Sequence, residues 1–273
     1  MFTLEVVRNP KPLQPPKAAI LDFDGTISLI REGWQQVMIP LFIEVLAETP
    51  GGKKETSTEL EHAVREFVDL LTGKQTIYQC IRLAEEVTKR NGIPHEPLVY
   101  KHEYHRRLLQ RINHRLEALK AGCDPTDHLV PGSYDLLQTL RQHGLVVYLA
   151  SGTDEMFVKE EAELLQVTHY FNGGVYGAQD DHKTFSKAMV IQRIIAENKL
   201  QGRELIGFGD GYVEIENVHE IGGFAVGVAT NESERSGIDD WKRNRLIGAG
   251  ADLIIPDYSN IKQLESQIFN SIN

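Results

Sequence analysis

The sequence predicts an α/β protein: a Rossmann-like, doubly wound parallel sheet core with an α-helical domain inserted after its first strand. Three observations carry this. Short apolar runs alternate with stretches of helical periodicity over most of the chain, as strands buried on both faces and their crossover helices do. The segment from Leu29 to His128 breaks the alternation and is helical throughout. Acidic or hydroxyl residues close several of the apolar runs, where an open α/β sheet places its ligand.

The first run is "AAILDF", Ala18–Phe23, and the later ones are "LVVYLAS" (Leu145–Ser151), "ELIGFGD" (Glu204–Asp210), "FAVGVAT" (Phe224–Thr230) and "DLIIP" (Asp252–Pro256). Between and after them, helical periodicity covers Ser133–Gln142, Asp154–Leu165, Phe185–Leu200, Glu214–Ile221, Asp240–Ile247 and Ile261–Ile272. Within 29–128 the helical stretches are separated by glycine and proline at Pro50–Gly52, Gly73, Gly92–Pro94 and Gly122–Pro125. The expected organisation is a leader over 1–17, packing as an edge or linker, a core formed by 18–28 with 129–273, and a helical insert over 29–128.

The chain has 273 residues, 41% of them hydrophobic and 25% charged, the composition of a globular protein. A net charge of −10 argues against a nucleic-acid partner, though not against a small anionic substrate held by a few local cations. The two cysteines, Cys80 and Cys123, have no metal-site spacing and suit a reduced, cytoplasmic setting. The opening residues lack the apolar core of a signal peptide, and no window reaches the roughly 18 apolar residues of a membrane span. "TPGGKKETS" lacks the spacing of a nucleotide-binding P-loop.

"DFDGT", Asp22–Thr26, sets two carboxylates two residues apart at a strand end. Residues at that spacing on a strand face the same way. The plain reading is a strand-end turn, since Asp-Gly is a common turn signal. Two close carboxylates repel, however, unless a cation lies between them or their proton affinities are driven apart. A hard ion such as Mg2+ needs only one or two carboxylates and keeps its waters. At the next strand end Ser151 precedes Gly152 and an expected helix start, a cradle for a phosphoryl group. Asp210, between two glycines, ends another strand, with Glu214 four residues on. Each of these alone reads equally well as a helix cap; at successive strand ends they suggest one site.

In order, "DFDGT", "SG" (Ser151, Gly152), a lysine opening a helix, and "GDGYVE" (Gly209–Glu214) resemble the motifs of the haloacid dehalogenase superfamily, specifically its phosphohydrolases. The helical insert resembles the cap of the phosphoglycolate phosphatase and β-phosphoglucomutase branch. The lysine is Lys187, preferred over Lys183 for its distance from Asp210. The resemblance implies a Mg2+-dependent phosphatase of a small phosphorylated metabolite, phosphoglycolate or a sugar phosphate. Asp22 would be the nucleophile forming an aspartyl phosphate, and Asp24 the general acid and base. Ser151 and Lys187 would hold the transferring oxygens, with Thr26 and Gly152 beside the substrate. Asp22, the main-chain carbonyl of Asp24, Asp210 and Glu214 would surround the ion.

Glu214 departs from the pattern, which often has aspartate there. Asp24 separates the chain from true haloacid dehalogenases, and "DGT" resembles phosphatases more than mutases. A phosphomutase using the same intermediate, and a non-catalytic binding module, are the alternatives.

In the insert, Arg31, Glu32 and Trp34 are candidates for the entrance, and Gly73, Lys74 and Thr76 resemble a substrate-contacting loop. Cap core (Trp34) and a solvated helix face (Arg31, Lys74) are the competing readings. "KHEYHRRLLQRINHR" carries His102 and His105 three apart together with Arg106, Arg107, Arg111, His114 and Arg115. A metal pair or a polyanion patch is possible there, and a solvated amphipathic helix is the expected role.

Overall fold

A computed structural model describes residues 4–9, 11–179 and 186–269. The chain divides into two compact units, Gly33–His114 and a larger one made of 1–32 with 115–273.

The larger unit is built on a seven-stranded sheet. In chain order its strands are β1 (Glu5–Val6), β2 (Ala18–Leu21), β3 (Val146–Asp154), β4 (Gly174–Ala178), β5 (Leu205–Gly209), β6 (Phe224–Val228) and β7 (Leu253–Ile255). Their order across the sheet is β1-β7-β6-β5-β2-β3-β4, and all neighbours run parallel except β1 with β7. The helices, numbered along the whole chain, are α1 (Gln35–Ala47), α2 (Ser57–Leu71), α3 (Thr76–Lys89), α4 (Pro97–Lys120), α5 (Ser133–Gln142), α6 (Glu155–Leu164), α7 (Lys187–Asn198), α8 (Tyr212–Glu220), α9 (Asp240–Gly248) and α10 (Ile261–Phe269).

The central strands β2, β5 and β6 are buried along their whole lengths, which explains why their sequences are unbroken apolar runs rather than alternating ones. Ala18–Leu21 pair on one side with Val146–Leu149 and on the other with Leu205–Phe208. The strand leading to Asp22 is therefore flanked by the strands leading to Ser151 and to Asp210, and connections leave it in both directions. That is the switch point at which open α/β sheets bind ligands.

Glu5–Val6 forms an edge strand. β1 pairs antiparallel with β7, Arg8 reaches the Asp252 carboxylate at 3.6 Å, and Glu5 holds Arg243 of α9 at 2.6 Å. Two features differ from the sequence expectation. β4 lies in a Gly- and Tyr-containing segment whose first three residues are only half-buried, so it carries neither an apolar run nor a clean alternation. β3 continues past Ser151 to Asp154, paired with Ala178 after a register shift, so α6 begins at Glu155.

The second unit packs α1, α2, α3 and the first part of α4 around Phe42, Leu46, Val64, Phe67, Leu83 and Leu108, with the Phe42 and Phe67 rings stacked at 5.9 Å. Thr56 and Glu59 close a reciprocal capping box at the start of α2. The unit is narrower at both ends than 29–128. Arg115 binds the main-chain oxygens of Ile30 (2.7 Å) and Glu32 (2.9 Å), and the Leu29 N–H donates to His128, which ties both ends of that window into the larger unit. Among the described residues no helix is long and apolar enough to cross a membrane.

Candidate active site

Asp22 follows β2 directly and is buried. One carboxylate oxygen accepts from the Phe23 N–H at 2.8 Å, and the other lies 2.8 Å from Lys187 Nζ. The same ammonium lies 2.7 Å from Glu214 Oε2, while Glu214 Oε1 accepts from the Gly211 N–H, also at 2.7 Å. Lys187 can do this because it is the first residue of α7, whose entry is fixed by Ser186 accepting from the Met189 N–H. One oxygen each from Asp22, Asp210 and Glu214 lies within 4.8 Å of the others. Burial drives the Asp22 carboxyl up to about 6, against the pull of Lys187 and with help from Asp210. It drives Glu214 up as well, and the two carboxylates drive the proton affinity of Lys187 up against its own burial.

Asp24 is differently placed. Its Oδ2 accepts from the hydroxyls of Thr153 (2.8 Å) and Ser151 (3.2 Å). Its Oδ1 is buried and has no hydrogen-bond partner among the described residues, with Arg31 Nε 3.8 Å away. Burial raises the proton affinity of this carboxyl, Arg31 lowers it, and Glu161 raises it again. Ser151 Oγ also accepts from the Thr153 N–H at 3.0 Å, so that N–H is taken within the turn instead of being presented at a helix start.

Asp210 directly follows β5. Its N–H donates to Thr26 Oγ1 at 2.9 Å, which ties the loop after β2 to the loop after β5. Gly25 adopts φ +73°, and a Cβ there would lie 2.2 Å from Asp210 Oδ2, so both backbone conformation and space require glycine. Tyr258, fully buried, donates to the Thr26 carbonyl at 3.1 Å and fixes the same loop from below. Asp210 Oδ2 in turn lies 2.8 Å from Lys242 Nζ, which also contacts Glu232.

The structure thus gathers Asp22, Asp24, Ser151, Lys187, Asp210 and Glu214 at one edge of the sheet. Thr26 is fully buried and braces Asp210. Gly152 lies half-buried between Ser151 and Thr153. Arg31, a candidate for the substrate, has a buried guanidinium that contacts Glu161 at 2.7 and 3.0 Å, lies over the Phe157 ring and stands 3.8 Å from Asp24. Glu32 is held by Arg115 at 2.6 Å.

Trp34, Gly73, Lys74 and Thr76 belong to the helical unit. There Gly73 takes φ +96°, Lys74 is exposed and Thr76 begins α3. His102 is exposed and His105 buried, Arg106 and Arg107 share Glu103, and Arg107 also meets Glu44. Lys183 lies outside the described residues.

Thr153, Glu161, Glu232 and Lys242 were not legible as site residues. Thr153 stands next to the recognised serine and glycine, and Glu232 follows a strand end, which is the one signal that singles either out.

Three carboxylates with no thiolate or imidazole among them form a donor set for a hard divalent cation such as Mg2+. Gly25 keeps the backbone close against one of them. The residues present therefore suit that ion.

No curated protein matches the sequence. Solved structures share the fold at low identity. A predicted phosphoglycolate phosphatase from Haemophilus somnus 129PT is 15% identical, with a TM-score of 0.60, over 92% of this chain and 99% of that one. The β-phosphoglucomutase of Clostridium difficile is 14% identical, with a TM-score of 0.60, over 92% and 96%. A predicted phosphatase from Clostridium acetobutylicum is 17% identical, with a TM-score of 0.57, over 92% and 100%. The sequence profile of the haloacid dehalogenase-like hydrolases matches residues 16–222, most of the chain and every motif residue from Asp22 to Glu214. The chain belongs to the haloacid dehalogenase-like hydrolases.

Proposed function

We propose that this hydrolase is a Mg2+-dependent phosphatase of a small phosphorylated metabolite, of the phosphoglycolate or sugar phosphate type, working in the cytoplasm through an aspartyl-phosphate intermediate. The observation that carries the reading is the unequal company of the two carboxylates of "DFDGT". Asp22 has a partner on each oxygen, an N–H and an ammonium, whereas Asp24 keeps one buried oxygen without a hydrogen-bond partner among the described residues. Two carboxyls in different environments can divide nucleophile and acid between them.

Asp22 attacks phosphorus as the ester P–O bond breaks, and Asp24 gives its proton to the departing oxygen. Water then attacks phosphorus, its proton passes to Asp24, and the acyl–phosphate P–O bond breaks to restore the Asp22 carboxylate. Lys187 offsets charge on the transferring oxygens and orients Asp22. Ser151 and Thr153 orient Asp24. Asp22, Asp210 and the Asp24 carbonyl, with Glu214 close by, would hold Mg2+, which would supply further neutralisation of the phosphoryl group. Selectivity is assigned to the helical unit, with Gly73, Lys74 and Thr76 on one turn.

The test is phosphate release from a panel of small phosphate esters, with and without Mg2+, beside Asp22→Asn. Metal-dependent release that disappears in Asp22→Asn is the expected result. Absence of release from every ester overturns the hydrolytic reading and moves the question to intramolecular phosphoryl transfer between sugar hydroxyls.

A further inference from the structure

Among the carboxylate oxygens that would hold the cation, those of Asp22 and Glu214 share one ammonium that is locked in place. Lys187 has a side chain 4% exposed between partners 8% and 2% exposed. Asp210 has a different cation on it. Lys242 enters from α9, where its backbone N–H is fixed 3.0 Å from the Asp239 carboxylate, so only its four-carbon stem is free to turn. Its ammonium bridges Asp210, at 2.8 Å, and Glu232. All three side chains are more open than the Lys187 group, at 11%, 17% and 18%.

Glu232 Oε1 and Asp210 Oδ2 lie 3.0 and 2.2 Å from where a Gly25 Cβ would stand, so Glu232 lies against the same glycine as the presumptive metal ligand. Glu232 holds the same ammonium as Asp210. We propose that Lys242 is a built-in counter-ion of the metal site. Its ammonium bridges Asp210 and Glu232, and retires to Glu232 alone when Asp210 takes the cation.

This inference rests on the proposed Mg2+-dependent reading. It makes a signed statement about charge. A monovalent cation 2.8 Å from a ligand oxygen competes with the divalent one, and its removal tightens metal binding. Were Lys242 merely a brace that orients Asp210, its removal would weaken binding. Glu232 has the opposite sign: without its charge the ammonium has nowhere else to go and holds Asp210 harder.

The experiment is calorimetric titration of the metal-free protein with Mg2+ alone, at neutral pH and fixed ionic strength, for wild type, Lys242→Met, Glu232→Gln and Asp210→Asn. The expected outcome is about 3- to 10-fold tighter binding by Lys242→Met and weaker binding of similar size by Glu232→Gln, shifts that a change in local charge at effective dielectric screening produces. Unchanged or weaker binding by Lys242→Met, with wild type binding and Asp210→Asn not, overturns the counter-ion role and leaves the metal site standing. Absence of binding by wild type overturns both. The opposite signs in two variants separate the effect from a fold defect, which moves both the same way.

Discussion

The site has a closed flank and an open one, and each is built from an ammonium between two carboxylates. On the closed flank, Lys187, Asp22 and Glu214 have side chains 4%, 8% and 2% exposed. On the open flank, Lys242, Asp210 and Glu232 are 11%, 17% and 18% exposed, and Asp24 nearby is 27% exposed. The same constellation has different consequences in the two settings. Charges that cannot reach water are bound to each other for the life of the fold, because separating them leaves an uncompensated ion. Charges at the edge of water can change partners at small cost. Asp22, the proposed nucleophile, lies on the first flank, and Lys242, proposed to trade partners, lies on the second.

Lys187→Met is the strongest way to break that contrast. It strands Asp22 and Glu214 without their cation, and urea unfolding should show about 3–5 kcal/mol of lost stability, as removal of one partner from a buried pair does. Phosphate release should vanish in the same variant. A loss below about 1 kcal/mol would mean the closed flank is no more locked than the open one.

pH sharpens the contrast next. In the metal-free protein the folded state binds the Asp22 proton more tightly than the unfolded chain does, about 6 against an ordinary 3.8. The contribution of Asp22 therefore favours the folded state below about 3.8 and is lost as pH rises from there through about 6. On the proposed reading, Mg2+ would restore it by binding the ionised form. The melting midpoint should gain more from Mg2+ at pH 7.5 than at pH 5, and an equal gain at both would sever Asp22 from the cation.

On the open flank Thr153→Val removes one hydrogen bond to Asp24 and should lower kcat about tenfold with KM unchanged, with Thr153→Ser recovering most of it. The smallest effect belongs to Lys242→Met in stability. Asp210 and Glu232 can turn to water, so urea unfolding should move by about 1 kcal/mol or less.

The sheet was legible in the sequence where both faces of a strand are covered, because burial forces an unbroken apolar run: Ala18–Leu21, Leu205–Gly209 and Phe224–Val228 are such strands. Gly174–Ala178 was not, since an edge strand with half-buried residues lacks that constraint. Helix Ser133–Gln142 begins and ends where its periodicity does. In the site, the residues the sequence singled out follow strand ends, except Lys187, which opens α7, and Glu214, in the first turn of α8. Thr153, Glu161, Glu232 and Lys242 act through partners far along the chain. Glu161 meets Arg31, and Lys242 meets Asp210, and no local pattern records such a meeting. Arg31 illustrates the converse: its position next to the first motif is local, but the carboxylate that claims its charge is not.

The pairing of β1 with β7 bears on how the chain assembles as it is synthesised. Gly33–His114 makes its contacts among neighbours in sequence and can form as soon as its helices emerge. The strand before Asp22 must wait for Val146–Leu149 and then for Leu205–Phe208, and Glu5 must wait for Ile254. Glu5–Val6 is secured only once Leu253 and Ile254, far along the chain, have been made. Until its own partners are made, Ala18–Leu21 is an apolar strand with two open edges, the state in which a nascent chain depends most on being shielded from its neighbours.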